Sequence, residues 1–85
     1  MDDLKSLDVT LYISLKCEWS RKMIQVMLTE NQLQNLTSIV DVEQFGWPKG
    51  CTGVPAFVSK VHNTGTVGYK YTVTEVIKAL HPKID

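Results

Sequence analysis

The sequence predicts one small α/β domain whose elements follow the order β-α-β-β-β-α. Short runs of alternating β-branched and aromatic residues are typical of strands. Two other segments carry apolar residues at helical spacing. Segments rich in glycine, proline and asparagine separate these runs, and 85 residues suffice for one domain, residues 1–85, but not for two. We therefore expect a mixed four-stranded sheet with two main helices packed against it.

The first half of the chain contains a strand, a helix and a second strand. Residues 9–14 alternate and favour a strand, and residues 1–7 form a polar lead-in that we expect to fray. From Glu18 to about Gln32, apolar residues fall at helical spacing and both glycine and proline are missing. Residues 37–42 favour a second strand, which should lie parallel to the first through a right-handed crossover.

The second half begins with a link at residues 43–53, where glycine and proline leave room for one helical turn at most. Thr72 or Thr74 can cap the last helix, and Pro82 ends it. The elements expected after the link are a strand at 54–61, a hairpin turn at 63–66, an antiparallel strand at 67–71 and a helix at 75–80.

Composition argues against several classes of function. The formal net charge is zero, so no basic surface for nucleic acid is indicated. The longest apolar stretch, residues 9–15, is far shorter than a membrane span. The beginning Met-Asp-Asp-Leu-Lys lacks the apolar core of a secretory signal, so we expect a cytoplasmic protein with no membrane partner. Two cysteines and two histidines without ligand spacing predict no metal site.

Cys17 is the residue at which the sequence indicates chemistry. It lies between the first strand and the first helix, where unpaired N–H groups and the helix dipole favour a negative charge. The pKa of this thiol should therefore fall below the free value of about 8.5. Lys16, Arg21 and Lys22 add positive charge nearby, and Glu18 opposes them. The alternative is that the cysteine is a small apolar packing residue.

Cys17 opens a C-x-x-S motif, Cys-Glu-Trp-Ser. In a C-x-x-C motif the second thiol releases the substrate from the mixed disulfide. Ser20 cannot do so, but its hydroxyl can donate a hydrogen bond to the Cys17 thiolate. The alternative is an ordinary serine in the first turn of a helix. Trp19, inside the motif, is placed to contact a substrate.

A second motif, Gly53-Val54-Pro55, precedes the third strand. A proline that opens a strand after a β-branched residue suggests a turn with a cis peptide bond. Such a turn would leave the backbone N–H and C=O of Val54 free to pair with an extended peptide. The alternative is a plain trans proline on an edge strand.

Over about residues 8–81, these features resemble the glutaredoxin branch of the thioredoxin-like superfamily. The resemblance implies a compact thioredoxin-like fold in which the second helix of the family is shortened or absent. Cys17 matches the nucleophilic cysteine, and Ser20 matches the second motif position of monothiol members. Val54–Pro55 matches the Val–cis-Pro that binds the glutathione backbone. Gly68 matches one glycine of a Gly-Gly element, with Tyr69 in place of the other.

The resemblance implies a thiol–disulfide oxidoreductase that acts through Cys17 on protein disulfides or glutathione mixed disulfides. It implies glutathione as co-substrate, no metal, a disulfide-containing or glutathionylated protein as partner, and a monomer. Cys51, four residues before Pro55, is a candidate resolving residue if the two sulfurs can approach. The substrate-binding residues implied are Lys16, Trp19, Val54, Pro55, Gly68 and Tyr69.

Two other functions remain open. In one, the chain is a non-catalytic thioredoxin-like module that docks a protein or peptide on the Val54–Pro55 edge. In the other, two protomers hold an iron–sulfur cluster through Cys17 and glutathione. Two departures from the family bear on these alternatives: Glu18 follows the cysteine where proline or glycine is usual, and Lys70-Tyr71-Thr72 replaces a common acidic pair.

Overall fold

The computed structural model describes residues 4–48 and 52–82. Within these ranges it contains one mixed sheet of four strands, three α-helices and a 3-10 turn at Leu33–Asn35, which confirms the predicted α/β class and sheet. In chain order the elements are β1 (Val9–Ile13), α1 (Glu18–Thr29), β2 (Ser38–Asp41), α2 (Val42–Phe45), β3 (Ala56–Ser59), β4 (Thr64–Val67) and α3 (Val73–Leu80).

The sheet has the order β2-β1-β3-β4, with β1 and β2 parallel and the other pairs antiparallel. At the end of β1, Ile13 pairs with Asp41 and Tyr12 pairs with Ala56. Ala56 in turn pairs with Val67 at the end of β4. The turn that carries Cys17 therefore lies beside the segments that leave β2, enter β3 and leave β4. We call this region, comprising residues 14–17, 42–48, 52–55 and 68–72, the thiol end.

Helix α1 packs on the sheet through Met23 and Met27, both fully buried. It ends at Thr29, before the predicted end, because Asn31 takes a left-handed conformation with φ 56°. The Asn31 N–H bonds the Leu28 carbonyl at 3.1 Å, and the next N–H bonds the Met27 carbonyl at 2.9 Å. This double closure is a Schellman motif, which satisfies the last carbonyls of the helix.

Residues 4–7, the described part of the lead-in before β1, are packed onto the core, contrary to the expectation that the lead-in frays. Leu4 and Leu7 are buried at 0% and 1% exposure and belong to the core cluster around Phe57. The segment is mostly polar, and its two leucines, which cover one end of the core, were therefore overlooked in the sequence prediction. Burial of two leucines stabilises the domain by an amount on the order of 3–6 kcal/mol, which holds the segment in place.

The hairpin was predicted too late in the chain. Strand β4 covers residues 64–67 rather than 67–71, and the connection is 60–63. Asn63 supplies the left-handed residue of the turn, with φ 54°, so Gly65 is not needed there and lies inside the strand. Gly68, with φ 110°, then ends β4.

The link and the last helix agree with the sequence apart from their boundaries. Helix α2 is a single turn, capped where the Asp41 carboxylate accepts from the Glu43 N–H at 2.9 Å. Helix α3 begins at Val73, because Thr72 rather than Thr74 caps it by accepting from the Glu75 N–H. Among the described residues, no helix is both long enough and apolar enough to cross a membrane.

Candidate functional site

Cys17 is the N-cap residue of α1, as the motif predicted, and its side chain is partly exposed. Its N–H donates to the Ser14 carbonyl at 2.9 Å, which closes the turn after β1, and its carbonyl accepts from the Arg21 N–H at 3.2 Å. Its Sγ lies 3.8 Å from the Val54 carbonyl oxygen. The fold therefore brings the two predicted motifs into contact.

Hydrogen bonds within the first turn of α1 lower the pKa of the Cys17 thiol, in the direction predicted. The backbone N–H of Ser20 contributes most, and partial burial opposes it. The Ser20 hydroxyl, the Trp19 N–H and the charge of Arg21 lower this pKa further. The site can therefore present a thiolate nearer neutral pH than a free cysteine can.

Lys16 and Lys22, expected to help, are not among the causes of the pKa shift. The Lys22 ammonium lies 3.7 Å from the Glu18 carboxylate and 4.6 Å from the centre of the Trp19 ring. Lys16 is exposed in the turn. Arg21 is thus the one predicted basic neighbour whose charge acts on the thiol.

Ser20 is fully buried, and its surroundings favour the functional interpretation of the motif. Its Oγ accepts from the Ser14 N–H at 3.2 Å, so its own proton remains to be donated toward Cys17. The Ser14 hydroxyl donates to Glu43 at 3.2 Å and accepts from the Lys16 N–H at 3.3 Å. These bonds hold the turn in the shape that aims the Ser20 hydroxyl at the sulfur.

The Val54–Pro55 peptide bond is cis, which confirms that expectation. Pro55 is buried, and its carbonyl accepts from the Gly68 N–H at 2.7 Å. This bond holds Gly68 beside Val54. Pro55 is thus a supporting residue rather than a contact surface, whereas Val54 faces the cysteine.

A groove of about 380 Å³, which we call the thiol groove, adjoins Val54, the residue whose carbonyl the Cys17 Sγ contacts. Ring centres of Trp19 and Tyr69 are 5.4 Å apart, and Tyr71 meets Tyr69 edge-on at 5.4 Å. The groove unites four of the predicted substrate-binding residues and adds a fifth that the sequence reasoning missed. Its lining is Trp19, Val54, Gly68, Tyr69 and Tyr71.

Among the described residues, four predicted site residues are not part of the lining of this groove: Lys16, Cys17, Ser20 and Pro55. Lys16 is exposed in the turn before the cysteine, and Pro55 lies behind Val54. Cys51 lies outside the described residues, so its proposed role as resolving residue stays a prediction. Tyr71 was assigned to a strand, although its position two residues after Tyr69 and beyond Gly68 could have marked it as a groove residue.

The segment that carries Tyr69 and Tyr71 is attached to α1 by two hydrogen bonds. The Lys70 N–H donates to the Met23 Sδ at 3.4 Å, and the Glu30 Oε2 accepts from the Val73 N–H at 2.9 Å. A second groove of about 240 Å³, which we call the helix groove, lies between this segment and α1. Both tyrosines line it as well, together with Lys22, Val26 and Glu30.

Comparisons of the chain with protein-family models, curated proteins and solved structures found no match. The described residues contain no group of three or more His, Cys, Asp or Glu side chains that could hold a metal ion.

Proposed function

We propose that this chain is a glutaredoxin-like thiol–disulfide oxidoreductase with a compact thioredoxin-like fold. The observation that carries the proposal is the position of Cys17. Its thiol has a lowered pKa and contacts the carbonyl of Val54, a residue that lines an open groove with aromatic walls. A cysteine that only filled space would need neither the hydrogen-bonded first turn nor the groove.

The reaction is the reduction of a glutathionylated protein by glutathione. The Cys17 thiolate attacks the glutathionyl sulfur, forms a new S–S bond and expels the protein thiolate, which takes up a proton. A glutathione thiolate then attacks the mixed disulfide on Cys17, releasing oxidised glutathione and restoring the Cys17 thiolate. Two electrons pass from glutathione to the protein disulfide, and no second protein cysteine is required.

Deprotonation of Cys17 changes what Val54 can bind. In the thiol form, the S–H lies within reach of the Val54 carbonyl at 3.8 Å. An S–H group is a weak donor, and the thiolate donates nothing. Activation of the cysteine therefore leaves that carbonyl able to accept from the backbone N–H of an extended ligand such as glutathione.

The walls of the thiol groove suit the hydrocarbon and sulfur atoms of a disulfide. Trp19, Tyr69 and Tyr71 present apolar ring faces with polar edges. Gly68 is part of the lining, and a Cβ there would meet only the Lys70 Nζ, at 3.9 Å, within the described residues. Its φ of 110° is also unfavourable for other residues.

Turnover of a glutathione mixed disulfide is the deciding experiment. The mixed disulfide of glutathione and 2-mercaptoethanol is supplied with glutathione, and oxidised glutathione is measured by coupled NADPH consumption. We expect Cys17→Ser to remove all turnover and Cys51→Ser, the matched control, to retain it. Turnover that survives in Cys17→Ser would eliminate this mechanism.

The same preparations test the other two functions. Exposed rings, 53% for Trp19 and 81% for Tyr71, are the observation that favours a protein-docking module. Such a module would bind peptides without turnover, and Cys17→Ser would bind them equally well. An iron–sulfur carrier would show visible absorption after reconstitution with iron, sulfide and glutathione, and Cys17→Ser would lose it.

A further inference from the structure

The helix groove has no part in the reaction just described. It adjoins the thiol groove, and the rings of Tyr69 and Tyr71 line both. The proposed binding of glutathione at the Val54 carbonyl uses the thiol groove. A substrate that carries polypeptide on the far side of its disulfide would have to place that polypeptide somewhere, and the helix groove is the adjoining concave surface.

The charges along the helix groove differ at its two ends. Lys22 lies at the end next to Trp19, and Glu30 lies at the other end. These residues are eight positions apart in the sequence, which is about 12 Å along a helix. An extended peptide covers that distance in about four residues. Between the two charges, Val26 and the tyrosines supply an apolar surface.

Both charges are available to a partner. Lys22 is paired with Glu18 at 3.7 Å, but the two side chains are 50% and 70% exposed. Exposed pairs of this kind contribute about 0–1 kcal/mol, so a carboxylate from a ligand can share the ammonium. Glu30 is held at the end of the groove because its Oε2 accepts from the Val73 N–H, while the side chain stays exposed.

We infer that the helix groove binds the polypeptide that flanks the disulfide cysteine of a protein substrate. The segment lies extended, with an acidic residue near its cysteine at Lys22 and a basic residue about four positions farther out at Glu30. The occupant is a protein segment of this charge pattern, because the groove offers one cation and one carboxylate at matching spacing. The inference rests on the proposed function, since it deepens the substrate class of the same site.

Glutathionylated peptides test the charge pattern. One peptide carries glutamate next to the cysteine and lysine four positions away, and its partner carries the same two residues exchanged. Each peptide is made in two versions, one with the two charged residues before the cysteine in the sequence and one with them after it. At low ionic strength we expect kcat/KM for the better orientation to exceed that of the exchanged peptide by at least about tenfold. Salt at 1 M should reduce the ratio, because it shortens the Debye length to about 3 Å.

Two substitutions locate the effect. Lys22→Gln and Glu30→Gln should each reduce the kcat/KM ratio by about threefold. Glu30→Gln keeps an amide oxygen to accept from the Val73 N–H, so it removes the charge without removing the acceptor for α3. Lys60→Gln, an exposed residue in the β3–β4 connection, is the matched control and should keep the wild-type ratio.

The outcomes separate the inference from the function on which it rests. Turnover of the 2-mercaptoethanol mixed disulfide with a peptide ratio near one overturns the inference and leaves the proposed function intact. If no substrate is turned over, binding of the two peptides to Cys17→Ser is compared by tryptophan fluorescence. A preference lost in Glu30→Gln then supports the groove and overturns the redox function. Equal binding of both peptides overturns both.

Discussion

The two ends of the sheet differ in how many large hydrophobic side chains they leave exposed. At the thiol end, six of the nine exposed large hydrophobic side chains among the described residues lie in or beside the loops. They are Leu15, Trp19, Phe45, Trp47, Val67 and Tyr71. At the opposite end, which we call the hairpin end and which comprises residues 4–8, 60–63 and 80–81, the one such side chain is Val61. Apolar surface is thus left uncovered mainly where the cysteine lies.

Polar groups show the same contrast. At the hairpin end, the buried Ser59 hydroxyl donates to the Leu7 carbonyl at 2.7 Å and accepts from the His62 N–H at 3.3 Å. The Thr64 hydroxyl donates to the Leu80 carbonyl, and the rings of His62 and His81 are 5.2 Å apart. Hydrogen bonding there is directed inward. At the thiol end, a thiol and a backbone carbonyl meet beside a groove, and the proposed function is based on this arrangement.

Loss of the thiol should have the largest effect on activity and almost none on stability. We expect Cys17→Ser to have no measurable disulfide reduction, because a serine hydroxyl is un-ionised at neutral pH. Its free energy of unfolding in urea should lie within about 0.5 kcal/mol of the wild type at a pH below the native pKa of Cys17, where the pKa shift contributes no stability. A large loss of stability in this variant would mean that the cysteine is mainly a packing residue.

Removal of the Ser59 hydroxyl should have the opposite effect: it should lower stability and leave activity unchanged. Ser59→Ala leaves the His62 N–H without this acceptor and leaves the Leu7 carbonyl with only the long bond from the Val61 N–H at 3.5 Å. We expect the free energy of unfolding to fall by about 1–3 kcal/mol, with unchanged turnover per folded molecule. Urea denaturation measures the first and the coupled assay the second. Thr74→Ala, an exposed hydroxyl on α3, should change stability by less than about 0.5 kcal/mol.

Ser20 contributes both to the reactivity of Cys17 and to the stability of the fold. Ser20→Ala removes a hydroxyl that lowers the pKa of Cys17 and that accepts from the Ser14 N–H. We expect the Cys17 pKa to rise, measured as the midpoint of the pH dependence of iodoacetamide alkylation. We also expect a loss of about 1–3 kcal/mol of stability, because the Ser14 N–H is left unsatisfied. An unchanged alkylation midpoint would show that the hydroxyl is structural only.

The lowered pKa of Cys17 also gives stability a pH dependence of known sign. The unfolded chain titrates this thiol near the free value of about 8.5, above the native pKa, so the native state binds fewer protons between the two values. The stability of wild type relative to Cys17→Ser should therefore rise with pH between the native pKa and about 8.5, and then level off. This contribution disappears as the pH falls through the native pKa. In Ser20→Ala the rise should be smaller.

The sequence was sufficient for features that depend on local pattern. Strand β1, the start of α1 at Cys17 and the single-turn link all follow from hydrophobic spacing and from glycine and proline. The hairpin was misplaced because Asn63 and Gly65 can both adopt a left-handed conformation, and only pairing with β3 decides between them. The burial of Leu4 depends on a core assembled from distant segments.

Most members of the candidate site were predictable from the sequence, with Tyr71 as an exception, but the shape of the site was not. Cys17 and Val54 belong to short sequence motifs, so the sequence alone is enough to single them out. The helix groove depends on two long-range hydrogen bonds. The one from Lys70 to Met23 spans 47 positions in the sequence, and the one from Val73 to Glu30 spans 43. A hydrogen bond from a backbone N–H to a thioether cannot be predicted from the sequence of either segment, because every residue other than proline has a backbone N–H.

The smallest expected effect concerns the charges around the sulfur. Proximity in sequence suggested that Lys16, Arg21 and Lys22 all lower the pKa of Cys17, whereas among them the structure assigns a contribution to Arg21 alone. Arg21→Gln should therefore raise the alkylation midpoint by less than Ser20→Ala does. The change should diminish in 1 M salt, because the Debye length falls to about 3 Å and the arginine side chain is exposed.

Lys16→Gln is the matched control for this prediction, since it removes the same charge from an exposed residue directly next to the cysteine. We expect it to move the midpoint less than Arg21→Gln does. A larger shift in Lys16→Gln would mean that the turn, rather than the first turn of α1, supplies the charge that acts on the sulfur. The hydrogen bonds from Ser20 and Trp19 would still favour the thiolate in that case, because they do not depend on either cation.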